Sequence, residues 1–107
     1  MPRKVPAPGT PEDWLVFAKS SLSLARQPKP EEALWEDHCF LAHQAVEKAL
    51  KAVYQHRGQM FEFIHDLKKL GKGLEQGGLR IPPEIREAFR LTKYVLESRY
   101  PGTIERV

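Results

Sequence analysis

Cys39, His43 and Glu47 stand at i, i+4 and i+8, which places a thiol, an imidazole and a carboxylate on one face of any helix that carries them. Three such groups can ligate a metal. A working site also needs further ligands and supporting hydrogen bonds, and two of these residues lie beside an apolar stripe, so no metal and no cofactor is expected. Gln44 and Lys48, also four apart, share a helix face where an amide and an ammonium can serve an anionic ligand, or where Lys48 can pair with a carboxylate. His65 is of the type that moves protons near neutral pH, but it stands where a helix must start and can equally cap it. Tyr94, Arg99 and Tyr100 cluster by helical spacing, so a guanidinium could fork onto phosphate oxygens while a ring stacks on a base. In the structural alternative, Arg99 answers the helix dipole and Tyr100 seals the end of the fold. Arg86, Arg90 and Lys93 form a basic stripe that could follow a phosphate backbone, or a solvated face on which Lys93 pairs with Glu97.

The elements that position these residues are bounded by size. A chain of 107 residues suits one domain with one modest core. Its 41% hydrophobic and 29% charged content suits a folded protein and not a disordered one. No apolar run reaches the length of a membrane span, and the basic start Met1-Pro2-Arg3-Lys4 leads into proline and glycine, so a cytoplasmic location without a membrane partner is expected. Cys39 is the single cysteine and cannot form an internal disulfide. The net charge of +3 favours an anionic partner without requiring one.

Punctuation and periodicity predict four helices. Residues 1–10 read as a mobile tail ended by Thr10, a cap, before Pro11 in the first helical position and the acidic Glu12 and Asp13. Trp14, Phe17, Ala18, Ser21, Leu22 and Ala25 make the apolar stripe of the first helix, which Pro28 and Pro30 stop. The second helix is expected from Glu31 to about His56, ended by Gly58, with Leu34, Trp35, Cys39, Ala42, Val46, Ala49, Leu50 and Val53 facing inward. His65 or Asp66 caps a short third helix with Leu67, Leu70 and Leu74 on its apolar edge and Gly77-Gly78 at its end. Pro82 and Pro83 open a fourth, with Ile85, Ala88, Phe89, Thr92, Val95 and Leu96 on one face, until Pro101-Gly102. Residues 11–102 are thus read as an all-α, antiparallel up-and-down four-helix bundle, with 103–107 as a tail.

The stretch from Cys39 to Ala52, CFLAHQAVEKALKA, resembles the signature second helix of the HEPN domain family (higher eukaryotes and prokaryotes nucleotide-binding). His65-Asp66-Leu67 opening the third helix, Tyr94, and Arg99-Tyr100-Pro101 follow in the order of a branch with a tyrosine before an Arg-Tyr-Pro motif. Trp14, Ala18, Ser21, Leu22 and Ala25 resemble the family's first helix. The resemblance implies a helical bundle that dimerises, often beside a minimal nucleotidyltransferase in a toxin–antitoxin-like pair, with Gln44, Lys48, His65, Tyr94, Arg99 and Tyr100 as nucleotide- or RNA-binding candidates. Many members are metal-independent RNases that carry an arginine followed after four to six residues by a histidine. No arginine here has a histidine at that spacing, and Arg57 and His65 are separated by seven residues across Gly58. The resemblance also implies a further helix after Arg-Tyr-Pro, so the chain is either naturally short or a piece of a longer one. A non-catalytic, nucleotide- or RNA-associated partner protein is therefore expected. The alternatives are a diverged RNase using His65, Arg99 and Tyr100, and a helical oligomerisation module without ligand.

Overall fold

The computed structural model describes Pro6, residues 8–61 and residues 64–93, and among these the chain forms four helices and no strand. They are α1 (Pro11–Ala25), α2 (Trp35–His56), α3 (Leu67–Gln76) and α4 (Pro83–Ala88). This is the expected all-α bundle.

Thr10 caps α1 by accepting the Asp13 N–H at 3.3 Å, while the Gly9 N–H donates back to the Asp13 carboxylate at 2.9 Å. α1 packs chiefly on α2 and buries Ala18 and Ser21 there. Phe17 and Leu22, expected inside, are 54% and 39% exposed. Trp14 at one end of the stripe packs edge-on against Phe61, whereas Phe17 and Leu22 fall on its shoulders.

α2 begins at Trp35 and not at Glu31, because the link is held otherwise. The Lys29 ammonium donates to the carbonyl of Ala33 at 2.8 Å and that of Pro30 at 3.1 Å, and the Ala33 N–H closes a turn onto Pro30. Leu34 is then extended as the N-cap, so Leu34 and Trp35, expected inward, are 45% and 53% exposed. At the other end Gly58 takes a φ of +65°. That geometry lets Gln59 N–H reach the Tyr54 carbonyl and Gly58 N–H reach that of Gln55, satisfying carbonyls the helix would leave open. Gly78, at +97°, ends α3 with the same pair of bonds, from Leu79 to Leu74 and from Gly78 to Glu75.

Asp66, not His65, caps α3, accepting the N–H groups of Lys68 and Lys69. α3 is the deepest element: Leu67, Leu70 and Leu74 are fully buried and join Leu50, Tyr54 and Ile81 in one core. Its two internal glycines cost roughly 1 kcal/mol each in helix propensity, and close approach explains them. A Cβ at Gly71 would lie 2.5 Å from the Phe89 ring, and one at Gly73 would strike the Tyr54 hydroxyl, which donates to the Leu70 carbonyl.

α4 is interrupted after Ala88, and residues 91–93 are helical again. Phe89 and Arg90 form a turn in which three-residue hydrogen bonds, Phe89 to Arg86 and Arg90 to Glu87, replace helical ones as the Phe89 ring meets Gly71. Ile85, expected inside, is exposed, whereas Thr92 just beyond the turn is buried. Val95, Leu96, Glu97, the expected helix end at Pro101-Gly102 and the tail 103–107 lie outside the described residues.

Candidate functional site

Helical spacing puts His43, Glu47 and Lys51 on one side of α2, where the chain packs against the start of α3 and the residues after α4. Glu47 is only 3% exposed, and four side chains converge on it. Lys51 Nζ lies 3.0 Å and Lys48 Nζ 3.9 Å from Oε2; His65 Nδ1 lies 2.9 Å and His43 Nδ1 3.8 Å from Oε1. Burial alone would raise the Glu47 pKa, but hydrogen bonds from His65 and Lys51 and the positive charge of Lys51 outweigh it, and the carboxyl sits below its usual value. A buried charge of this kind is tolerated because each carboxylate oxygen is satisfied.

His43 is held below its ordinary pKa, because burial against the cation prevails over Glu47 and the backbone of His65. Its Nε2 lies 3.1 Å from the Thr92 hydroxyl, whose oxygen accepts the Leu67 N–H, also at 3.1 Å. The Thr92 hydrogen is therefore available to neutral His43. One network thus ties α2 to the start of α3 and to Thr92.

Of the candidates read from sequence, Lys48 and His65 come together, at opposite oxygens of Glu47. Gln44 turns towards α1 instead, where its amide oxygen accepts from Ser21 at 3.4 Å. Lys48 also lies over the Trp14 ring at 5.1 Å, and Lys51 lies between Trp14 and Phe61 at 5.6 and 5.5 Å from their ring centres. Tyr94, Arg99 and Tyr100 lie outside the described residues. Among the described residues no group of three His, Cys, Asp or Glu side chains is placed to hold a metal. Cys39 stands apart, its thiol pKa raised by burial and by Glu36.

The His65 side chain is 68% exposed while its Nδ1 is pinned by the carboxylate. A carboxylate on one ring nitrogen fixes the tautomer and leaves the other nitrogen to exchange protons with a ligand. Sequence reasoning missed Glu47 as the anchor and Lys51 and Thr92 as its partners. The available signal was the continuation of the Cys39-His43-Glu47 series to Lys51, which sets an ion pair on a side of α2 that also carries core residues.

A second feature is cationic. A cleft of about 810 Å³ lies between the end of α2, the segment after it and α3, lined by Arg57, Lys69 and Lys72 with Phe61 and Gln59. The Arg57 guanidinium donates to the Gly77 carbonyl, and the Gln59 amide to that of Gly73 at 2.8 Å. On the other flank of α3, Lys68, Lys72, Glu75, Arg86, Phe89 and Arg90 line a cleft of about 500 Å³. Arg86 pairs with Glu75, and Arg90 with Glu87 at 3.1 Å, so the expected basic stripe of α4 is largely neutralised. Arg57, Lys68, Lys69 and Lys72 have no carboxylate partner among the described residues.

No curated protein and no solved structure matches the chain significantly. The family model described as HEPN domain matches residues 11–106, a span that takes in all four helices, the Glu47 network and the lysines of α3. The chain belongs to the HEPN domain family.

Proposed function

We propose that this HEPN domain is a non-catalytic, nucleotide- or RNA-associated protein that forms a homodimer and works beside a minimal nucleotidyltransferase, as half of a toxin–antitoxin-like pair. The observation that carries the ligand is the group of four cations around α3, Arg57, Lys68, Lys69 and Lys72, which have no carboxylate partner among the described residues. Such a group attracts phosphates. The missing arginine–histidine spacing supports a binding role over RNA cleavage. Phe17 and Leu24, exposed and seven residues apart on one side of α1, suit a second copy of the chain. Titration with ATP, GTP and a short RNA, on protein whose mass in solution is measured, tests this reading. Saturable binding by a dimer is expected, and the absence of any binding overturns it. A genomic neighbourhood without a nucleotidyltransferase would count against the partner.

One observation favours a second reading, a diverged metal-independent RNase. His65, held through Nδ1 by buried Glu47, has the arrangement of an oriented acid–base group; Arg99 and Tyr100 would complete its site. Cleavage of RNA in chelator-treated buffer, abolished by His65→Ala and by Arg99→Ala, would establish this reading in place of the first.

A further inference from the structure

We infer that His65 is a phosphoryl-accepting nucleophile, whose Nε2 takes a phosphoryl group from a small donor of the phosphoramidate or acyl phosphate class. The inference goes beyond both readings above and needs neither of them.

The chain has four histidines, all within the described residues, and the fold treats each differently. His43 is 1% exposed and is bonded to Thr92, so no donor reaches it. His38 Nε2 lies 3.0 Å from the Gln27 carbonyl, which only accepts, so that nitrogen carries the hydrogen and has no lone pair to offer. The other nitrogen of His38 is buried. His56 is exposed but has no carboxylate beside it among the described residues. Only His65 is both accessible, with 68% of its side chain exposed, and held, with Nδ1 2.9 Å from Glu47 Oε1.

The carboxylate decides which nitrogen reacts. Ionised Glu47 can only accept, so Nδ1 of His65 carries the hydrogen and the lone pair of the neutral ring lies on Nε2, the nitrogen away from Glu47. As Nε2 attacks phosphorus, the P–N bond to the ring forms and the bond from phosphorus to its leaving group breaks. The leaving group takes that electron pair and departs as ammonia from phosphoramidate or as a carboxylate from an acyl phosphate. The ring keeps its Nδ1 hydrogen and becomes cationic, and this charge develops 2.9 Å from a carboxylate already in place. Glu47 is itself fixed, since Lys51 binds its other oxygen at 3.0 Å and only 3% of it is exposed.

The charge that arrives also meets the right sign. His65 stands just before the cap of α3, whose first turn carries Lys68 and Lys69, both exposed and without a carboxylate partner among the described residues. Asp66, the neighbouring carboxylate, is engaged by the N–H groups of those two lysines at 3.0 and 3.2 Å. A phosphoryl group brings a charge of roughly −2, which two ammonium groups and the positive end of a helix favour.

The test is labelling of the full chain with potassium phosphoramidate at neutral pH, read by peptide mass spectrometry kept free of acid and by phosphorus NMR. His56 is the internal control. A partner on the far nitrogen of a metal-ligating histidine is typically worth about 10–100-fold, and the same scale applies to attack on phosphorus. His65 should therefore be phosphorylated about tenfold faster than His56 or more, with phosphorus on Nε2. In concentrated urea the two should react at equal rates. Glu47→Gln, shown by circular dichroism to be folded at the labelling temperature, should bring His65 down to the rate of His56 and leave His56 unchanged. Equal rates in the folded chain overturn the inference, as does phosphorus on Nδ1 of His65 or a His65 rate that the folded Glu47→Gln variant keeps. A preference for His65 that persists in urea also overturns it, because neighbouring residues in the sequence and not Glu47 would then set the rate. Should Glu47→Gln fail to fold, the comparison of folded and urea-unfolded chain decides alone.

Discussion

Replacing Glu47 by glutamine removes one charge and almost no volume, so it isolates what the carboxylate does. Glu47 and Lys51 are 3% and 4% exposed, and their atoms lie 3.0 Å apart, out of reach of solvent screening. In the variant an ammonium stays buried without the carboxylate it is paired with, and an amide with one oxygen must serve both His65 and Lys51. Breaking a buried pair from one side typically costs about 3–5 kcal/mol. The Trp14 and Phe61 rings around Lys51 remain and retain roughly 1 kcal/mol of cation–π stabilisation, which places the expectation near the lower end, about 3 kcal/mol. For a domain of this size that is a fall in melting temperature of roughly 12–24 °C. Thermal melts and urea titrations followed by circular dichroism measure it, with an unchanged urea m-value as the check that the unfolding transition is the same one. A loss below about 1 kcal/mol would refute the assignment of Glu47 as the anchor. Combining Glu47→Gln with Lys51→Met should recover more than half of the loss, because the stranded charge goes with the lysine. Additive losses would instead mean that shape, not charge, was at stake.

Gly73→Ala, which in an open helix would stabilise, should here destabilise by about 1–3 kcal/mol, since the new methyl strikes the Tyr54 hydroxyl; a higher melting temperature would contradict the close approach. Thr92→Val leaves the Leu67 N–H and His43 Nε2 without their partner in a buried site, at a cost of roughly 2–4 kcal/mol by urea titration. The pH dependence follows from two depressed groups. Because the folded pKa of His43 lies below its ordinary value near 6.5, its contribution is complete above about pH 6.5 and is lost as pH falls through the folded value. Glu47, depressed from about 4.3, holds its contribution above that pH and loses it at lower pH as its own folded value is passed. Urea midpoints from pH 8 to pH 3 should therefore be level, then decline in two stages, and a rise between pH 6.5 and 5 would reverse the sign assigned to His43.

The helix ends that could be read from sequence are those fixed within one turn: Thr10 before Pro11, Gly58, Asp66, Gly77-Gly78 and Pro83 each act on backbone groups a few residues away. The start of α2 was misplaced because Lys29, outside the helix, claims carbonyls that the pattern assigned to it. Phe17, Leu22 and Ile85 were misplaced because periodicity gives the direction of a stripe and not how much of it a neighbour covers. Of the site, Lys48 and His65 were picked out individually, while the carboxylate that joins them depends on a fold-level meeting of α2 with the start of α3. The cationic crest is a different case, since it follows from the core. With Leu67, Leu70 and Leu74 drawn inward and glycines at 71 and 73 letting Phe89 and Tyr54 press close, the remaining long side chains at 68, 69 and 72 have only the outer surface to occupy. The alternation of leucine and lysine in this ten-residue segment was therefore already a statement about charge on the surface, and the packing that buries one set obliges the other to face a ligand or water.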